Sequence, residues 1–443
     1  MLIEFTVENY RSFADARTFS LVATKDASHP THVFEHGSLR LLKAAAIYGP
    51  NASGKSNLVK AITFMDDFVG TSATRMNLGD PIRGIEPFRL DQEWRKKPCS
   101  FQVRLLINDT EYLYGFSACQ DRVHDEWLEV KRDGGRVTKP LSRRLDRETG
   151  KMEWALHGEL KEQATFVIDK TRDNGLFLSR AAEMNVSFVK ELFLWFRHRL
   201  WHYDLSVPPF LLMHETARRV TEDTSFRARV ERLLHDADLG IGRISIKTHD
   251  TPIDVSKGTR ALAEALTRFL GTVTAKAGVV DGVSSKYEVQ TLHPIPGSDE
   301  SEEFSLDQDE SNGTQRFFAL IGPVLDALDN GHLLVLDELD CSMHPLLTQK
   351  LVQLFQDPDA NPKGAQLAFA THDSSLMTPS LFRRDQIWLT EKNRKGATEL
   401  FSLCEIEPEK RPRKEEAFER NYLLGRYGGV PNFGPALEDL DVG

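Results

Sequence analysis

The stretch IYGPNASGKSN, residues 47–57, constrains the fold more than any other part of this chain. It matches G-x-x-x-x-G-K-[ST] at every fixed position, with Gly49, Gly54, Lys55 and Ser56 in the fixed places. Glycines at that spacing permit backbone conformations that a Cβ would forbid. Loop N–H groups can then converge on phosphate oxygens ahead of a helix N-terminus. Both flanks agree. LLKAAAIY (41–48) is an apolar run that reads as a buried strand, and SNLVKAITFMDDFV (56–69) sets Leu58, Ile62, Met65 and Val69 at helical spacing. A glycine-rich turn matching by chance would not bring both neighbours with it. The expectation is a loop in which Gly49, Asn51, Ser53, Gly54, Lys55, Ser56 and Asn57 bind ATP. Lys55 would reach the β- and γ-phosphates, and Ser56 would ligate Mg2+.

The second half of the chain supplies groups suited to such a site. HLLVLDELDCSMHP (332–345) opens with an apolar run and ends it in Asp337 and Glu338. A buried strand that delivers an acid pair at its end suits Mg2+ held through water by Asp337, and an attacking water polarised by Glu338. QLAFATHDSSLM (366–377) is another apolar strand, and His372 at its end could touch a γ-phosphate and report its presence. Upstream, DESNGTQRFFALIGPVLDAL (309–328) starts a helical stretch with Ser311 and Gly313. That start reads either as an anion-binding helix N-terminus or as an ordinary capped helix.

The order of P-loop, long gap, Ser-x-Gly helix start, acid-ended strand and histidine-ended strand resembles the ABC-type ATPases, in their SMC/RecF-like branch. The resemblance implies an α/β fold: an ABC-type P-loop ATPase head with a mixed sheet and an antiparallel β lobe. It implies that Ser311 and Gly313 stand at the signature motif, Asp337 and Glu338 at the Walker B pair, Asp340 in the D-loop and His372 at the switch histidine. In such heads the signature completes the site of a second subunit, so a homodimer or higher homo-oligomer would sandwich ATP. The signature here is S-N-G-T-Q rather than S-G-G-Q. LIEFTVENYRSFADARTFSLVA (2–23) alternates as a half-buried hairpin would, and it resembles the N-F-R-S-F opening of RecF-like heads, which places Arg11 near the nucleotide. The same resemblance offers Gln92 as a residue contacting Mg2+. The catalytic set so implied is Glu338, Lys55 and His372, with Ser56, Asp337 and Gln92 as metal ligands.

SNGTQRFFAL, LLVLDELDCSMHP and the ending NYLLGRYGGVPNFG (421–434) resemble a narrower group of bacterial ATPases from two-gene phage-defence and abortive-infection systems. RloA-type proteins and the AriA ATPase of PARIS belong to that group. This implies an antiviral ATPase switch with a separate effector, often a nuclease, as partner. The alternative is a RecF/SMC-like DNA-binding ATPase acting in DNA repair, for which DNA would be the added partner. A nuclease built on Asp337 and Asp340 fits poorly, because D-E-x-D lacks the D-x-D strand end such a site needs.

A formal net charge of −10 argues against a nucleic-acid cradle over the whole surface. Four cysteines (99, 119, 341 and 404) form no C-x-x-C pair, which points to a reducing, cytoplasmic setting without disulfides or a zinc site. The absence of a long apolar run predicts no membrane span. We divide the chain into an N-terminal ATPase lobe with the P-loop (1–75), an antiparallel β part (76–170), a mainly helical insertion (171–284), a C-terminal ATPase lobe (285–404) and a C-terminal tail (405–443). Hairpins are expected around Asn108-Asp109 and Asp133-Gly134-Gly135, and helices over 185–204, 225–240 and 259–278. No heptad run is sustained in the insertion, so a helical insertion replaces the long coiled coil of SMC relatives. The mixture of Trp195, Arg197, His198, Arg199, Trp201 and His202 reads either as a base-stacking surface or as a buried aromatic face with a basic outer face. His29, His32 and His36 read as a loop rather than a metal site. Residues 295–310 read as an acidic, mobile lead, and the tail as a segment that clasps its own head or docks on a neighbour.

Overall fold

The computed structural model describes residues 1–132, 134–203, 209–237, 239–252, 283–407 and 416–431. Two compact units emerge. The first comprises Met1–His202, Leu328–Leu339 and Val352–Gly443; the second comprises Tyr203–Ala327 and Asp340–Leu351.

At the centre of the first unit is a six-stranded sheet in the order Leu200–Tyr203, Leu333–Leu336, Gln366–Ala370, Ala44–Tyr48, Ile387–Lys392 and Thr398–Ser402. AAAIY, LLVL and QLAFA are buried at every residue. That is the pattern of parallel strands covered on both faces. Those three strands and Ile387–Lys392 run parallel, and Thr398–Ser402 returns antiparallel. In register, Leu336 faces Phe369, Ala370 faces Ile47 and Leu389 faces Tyr48. The carboxyl ends of the acid strand, the histidine strand and the P-loop strand therefore finish side by side. The acid and histidine strands lie on one side of the P-loop strand, and Ile387–Lys392 lies on the other. Such a change of direction is where ligands bind in open α/β sheets.

The same unit holds an antiparallel sheet ordered Met152–Leu156, Thr138–Leu145, Val123–Arg132, Thr110–Ala118, Cys99–Ile107, Leu2–Glu8 and Arg17–Ser20. Buried and less buried residues alternate along its strands, as in CSFQVRLLI. Asn108 (φ 44°) and Asp109 (φ 59°) carry the hairpin turn expected there. The buried face packs against the helix Lys55–Thr71, with the rings of Phe64, Phe68, Phe101 and Phe116 in mutual contact. Mixed parallel and antiparallel sheets, helices and the P-loop strand together make up the expected α/β head.

The second unit contains helices Pro209–Glu222 and Thr224–Asp236 and an antiparallel sheet of Arg243–Pro252, Val283–Pro294 and Ser301–Ser305. Most of the helix Asn312–Asn330 belongs to it. The helix expected over 185–204 stops at Arg199, because Leu200–Tyr203 instead pairs at the edge of the central sheet. The acidic lead 295–310 is not merely a mobile linker: Ser301–Ser305 is a strand, and Glu310 Oε1 accepts from Thr291 Oγ1 at 2.6 Å and lies 2.7 Å from His293 Nε2. The helix expected over 259–278 lies outside the described residues.

Candidate nucleotide site

The P-loop leaves the strand Ala44–Tyr48 and enters the helix at Lys55. Gly49 has φ 149° and Gly54 has φ 123°, both in the region that disfavours L side chains. A second constraint comes from outside the loop. A Cβ on Gly49 would sit 2.3 Å from Thr390 Oγ1, and one on Gly54 would sit 2.3 Å from Thr398 Oγ1. Two threonines of the flanking hairpin therefore press on the two motif glycines. Thr390 Oγ1 donates to the Tyr48 carbonyl at 3.2 Å and lies 2.5 Å from Ser53 Oγ. Thr398 Oγ1 lies 2.7 Å from the Ser53 carbonyl and 2.8 Å from Ser12 Oγ.

Inside the loop, Lys55 is buried and its Nζ donates to the carbonyls of Gly49 at 2.7 Å and Pro50 at 3.2 Å. This holds a cation over a loop otherwise made of backbone. The helix N-cap is Gly54, which has no side chain to occupy the first-turn N–H groups, and no acidic residue follows in that turn. Both features favour an anion. Asn51 is exposed, while Ser56 and Asn57 are partly buried; Asn57 Nδ2 donates to Ser12 Oγ at 2.7 Å.

The acid strand ends in buried Asp337 and half-buried Glu338. Glu338 has φ 53°, a conformation that few residues other than Gly, Asn and Asp adopt and that costs about 1–3 kcal/mol. Leu339 N then donates to the Ala370 carbonyl at 3.2 Å, so the strained residue is clamped between two points of the sheet. Next door, Thr371 N donates to the Ile47 carbonyl at 3.1 Å, and His372 follows as an exposed residue. Asp373 Oδ1 accepts from Ser375 N at 3.0 Å and fixes the turn Ser374–Leu376 behind it. His372 thus stands at the end of the strand next to the P-loop strand, and Asp337 and Glu338 stand at the end of the strand beyond it.

The remaining predicted residues lie on other elements. Arg11 (φ 50°) pairs its guanidinium with Glu86 at 2.8 Å and donates to Tyr10 Oη at 3.2 Å. Its neighbour Ser12 is the residue tied to the P-loop. Gln92 is exposed, just ahead of the short turn Trp94–Lys96. In the second unit Ser311 acts as a cap: its Oγ accepts from Thr314 N at 3.1 Å. Gly313 is needed there because a Cβ would meet the Ser342 carbonyl at 2.7 Å. The Asp340 backbone carbonyl accepts from Met343 N at 3.1 Å in the same unit. Ser12, Thr390 and Thr398 carry no sequence signal that marks them as residues of the site. Threonines in IWLTEK and ATELF look like ordinary strand residues, and only tertiary pairing brings them to the loop.

The described part of the tail packs on its own head. Gly429 N donates to Glu391 Oε2 at 3.0 Å, Tyr422 Oη donates to the Gly429 carbonyl at 2.8 Å, and the Tyr422 ring lies 6.1 Å from that of Tyr48. Ser374 Oγ donates to Glu419 at 3.1 Å, which ties the tail to the turn after His372. The aromatic residues Trp195 and Phe196 are buried against each other, as the core reading requires. His29 and His32 stack, with His32 Nδ1 2.9 Å from Gln386 Oε1, whereas His36 lies 3.3 Å from Asp109.

Residues 44–378 match the protein family described as "AAA domain, putative AbiEii toxin, Type IV TA system". The chain belongs to this family. The match starts at the first residue of the P-loop strand and ends just past the turn that follows His372. As a member it is a P-loop protein of the AAA ATPase type. No curated protein matches the chain. Among solved structures it is similar to the SMC head domain from Thermotoga maritima, at 12% identity over 90% of this chain and 98% of that one, with a TM-score of 0.39. It is also similar to the recombination mediator RecF with ATP, from the RecFOR pathway, at 13% identity over 90% of this chain and 97% of that one, with a TM-score of 0.29.

Proposed function

We propose that this chain binds and hydrolyses ATP as a dimerising switch of a bacterial anti-phage defence system, controlling a separate effector such as a nuclease. RloA-type proteins and the AriA ATPase of PARIS are the group it resembles. The observation that carries the enzymatic part is the convergence of the P-loop, Asp337, Glu338 and His372 at three adjoining strand ends. The family's description as a toxin of a toxin–antitoxin system supports the defence role.

The residues fit ATP and Mg2+. The cradle has no room for a Cβ at Gly49 or Gly54, Lys55 supplies the cation, and Ser56 and Asp337 supply the hard oxygen donors that Mg2+ takes. When bound, Mg2+ would neutralise charge on the phosphates. Lys55 and the open helix N-terminus stabilise the same negative charge. Glu338 accepts a proton from the attacking water, and its clamped backbone keeps the carboxylate aimed without reorganisation. His372 reads the γ-phosphate from the neighbouring strand end. Ser311 and Gly313 of a second copy complete the site, so ATP joins two heads and its hydrolysis parts them.

Glu338→Gln should retain ATP binding, slow turnover at least roughly a hundredfold and accumulate an ATP-bound dimer in light scattering. Hydrolysis at the parental rate would remove Glu338 from the role of base. Lys55→Ala should abolish binding in calorimetry; unchanged affinity would refute the P-loop assignment. Co-purification with the neighbouring gene product tests the effector. Turnover stimulated by DNA, without such a partner, would favour the DNA-repair reading.

A further inference from the structure

A cluster of metal-ligating side chains lies at the turn between the strands Thr110–Ala118 and Val123–Arg132, apart in sequence from every nucleotide-site motif. Cys119, Asp121 and His124 each offer one ligand atom, and these atoms lie within 4.8 Å of one another. Two backbone features assemble them. Cys119 N donates to the Arg122 carbonyl at 2.9 Å and closes a tight turn containing Asp121. The pairing then slips: Ser117 faces Asp125 but Ala118 faces Val123, which leaves His124 as the extra residue of a bulge. Bulges re-aim a side chain relative to the regular pleat. Among the described residues the buried His124 Nδ1 has no hydrogen-bond partner, which leaves a ring nitrogen at the cluster open to a ligand. Of the neighbouring charges, Arg147 acts on both Cys119 and His124, while two others are engaged elsewhere. Arg122 pairs with Asp173, and Asp125 accepts from Ser117 Oγ at 2.6 Å.

We propose that Cys119, Asp121 and His124 form a Zn2+ site whose fourth position is filled by water. Thiolate, imidazole and carboxylate are the donor types that zinc takes. A thiolate and an imidazole together disfavour Mg2+ and Ca2+, which select oxygen. Donors held about 2.0–2.3 Å from a tetrahedral ion stand roughly 3.3–3.8 Å apart, so small side-chain rotations within the present spread would close the site. With Cys119 as thiolate and Asp121 ionised, two negative charges balance the ion, and binding releases the thiol proton to solvent. The expectation of no zinc site rested on the lack of a C-x-x-C pair. The C-x-D-x-x-H spacing is assembled by a turn and a bulge that sequence periodicity does not reveal.

A metal bound there would fix a turn that itself supports a neighbouring loop. The turn holds the loop before Glu86, because the Gln120 carbonyl accepts from Ile82 N at 2.7 Å and Gln120 Nε2 donates to the Ile85 carbonyl at 3.4 Å. Glu86 in turn holds Arg11.

The test uses the full chain, stripped of metal and titrated with Co2+ alone, then with Zn2+. One equivalent of Co2+ should give a sulfur-to-cobalt charge-transfer band that Zn2+ abolishes. The candidate Mg2+ ligands at the P-loop are oxygens and give no such band, so this readout is independent of the ATPase reading. Cys119→Ser should lose the band, while Cys99→Ser and Cys341→Ser keep it. His124→Ala and Asp121→Asn should each weaken Co2+ binding by roughly tenfold or more, and the exposed position of Asp121 makes its variant the safer one to fold. A parental chain without the band, or a band that survives Cys119→Ser, would overturn the proposal.

Discussion

Gly54→Ala tests whether the P-loop shape is imposed by the loop itself or also by the threonine against it. Two costs are separable. At φ 123° an alanine backbone is strained by about 1–3 kcal/mol. Its Cβ would also stand 2.3 Å from Thr398 Oγ1 and 2.7 Å from Thr398 Cγ2, an overlap that typically costs about 1–3 kcal/mol. The total is about 2–6 kcal/mol, and even the lower end corresponds to roughly a 30-fold change in an equilibrium constant. Thr398→Ala removes both clashing atoms but forfeits the hydrogen bonds of Thr398 Oγ1 to Ser12, Ser53 and Lys392, each worth about 1 kcal/mol. The double variant should therefore recover the steric share and keep the backbone share. Its coupling should be about 1–3 kcal/mol, well beyond the 0.3–0.5 kcal/mol scatter around additivity that is roughly expected of independent sites. Urea unfolding without nucleotide and calorimetry with a non-hydrolysable ATP analogue, run on all four chains, give the cycle. Strictly additive costs in both measurements would refute the idea that Thr398 shapes the loop.

Two further predictions concern stability. Glu126 is fully buried and accepts from Tyr114 Oη at 2.9 Å, Phe177 N at 2.7 Å and Leu178 N at 2.9 Å, beside buried Arg143 at 3.4 Å. Glu126→Gln leaves that guanidinium without its counter-charge and should cost about 3–5 kcal/mol in urea unfolding; a loss below about 1 kcal/mol would contradict the network. Burial lowers the pKa of His32 from 6.5 to about 4, with the Gln386 hydrogen bond opposing the shift. His32 is thus neutral when folded, and its contribution is complete above pH 6.5 and lost as the pH falls towards 4. The loss should be roughly 1–3 kcal/mol, and His32→Gln should flatten that part of the stability–pH curve. A slope that the substitution leaves unchanged would remove His32 as its source.

Local patterns carried the parts of this protein whose physics is local. A glycine that must avoid a Cβ, a helix that follows at regular spacing and strands buried on both faces all leave marks within ten or so residues. The P-loop, its strand and helix, the acid strand, the histidine strand and the Asn108-Asp109 hairpin were legible for that reason. Leu200–Tyr203 was not, because its strand state depends on a sheet edge built by residues more than a hundred positions away. Strand order was likewise a tertiary decision, and it is what sets the ends of the acid and histidine strands on one side of the P-loop strand. So were the grip of Thr390 and Thr398 on the motif glycines and the pairing of Arg11 with Glu86. Each depends on side chains meeting across elements, where the free energy lies in packing and pairing that no single stretch encodes.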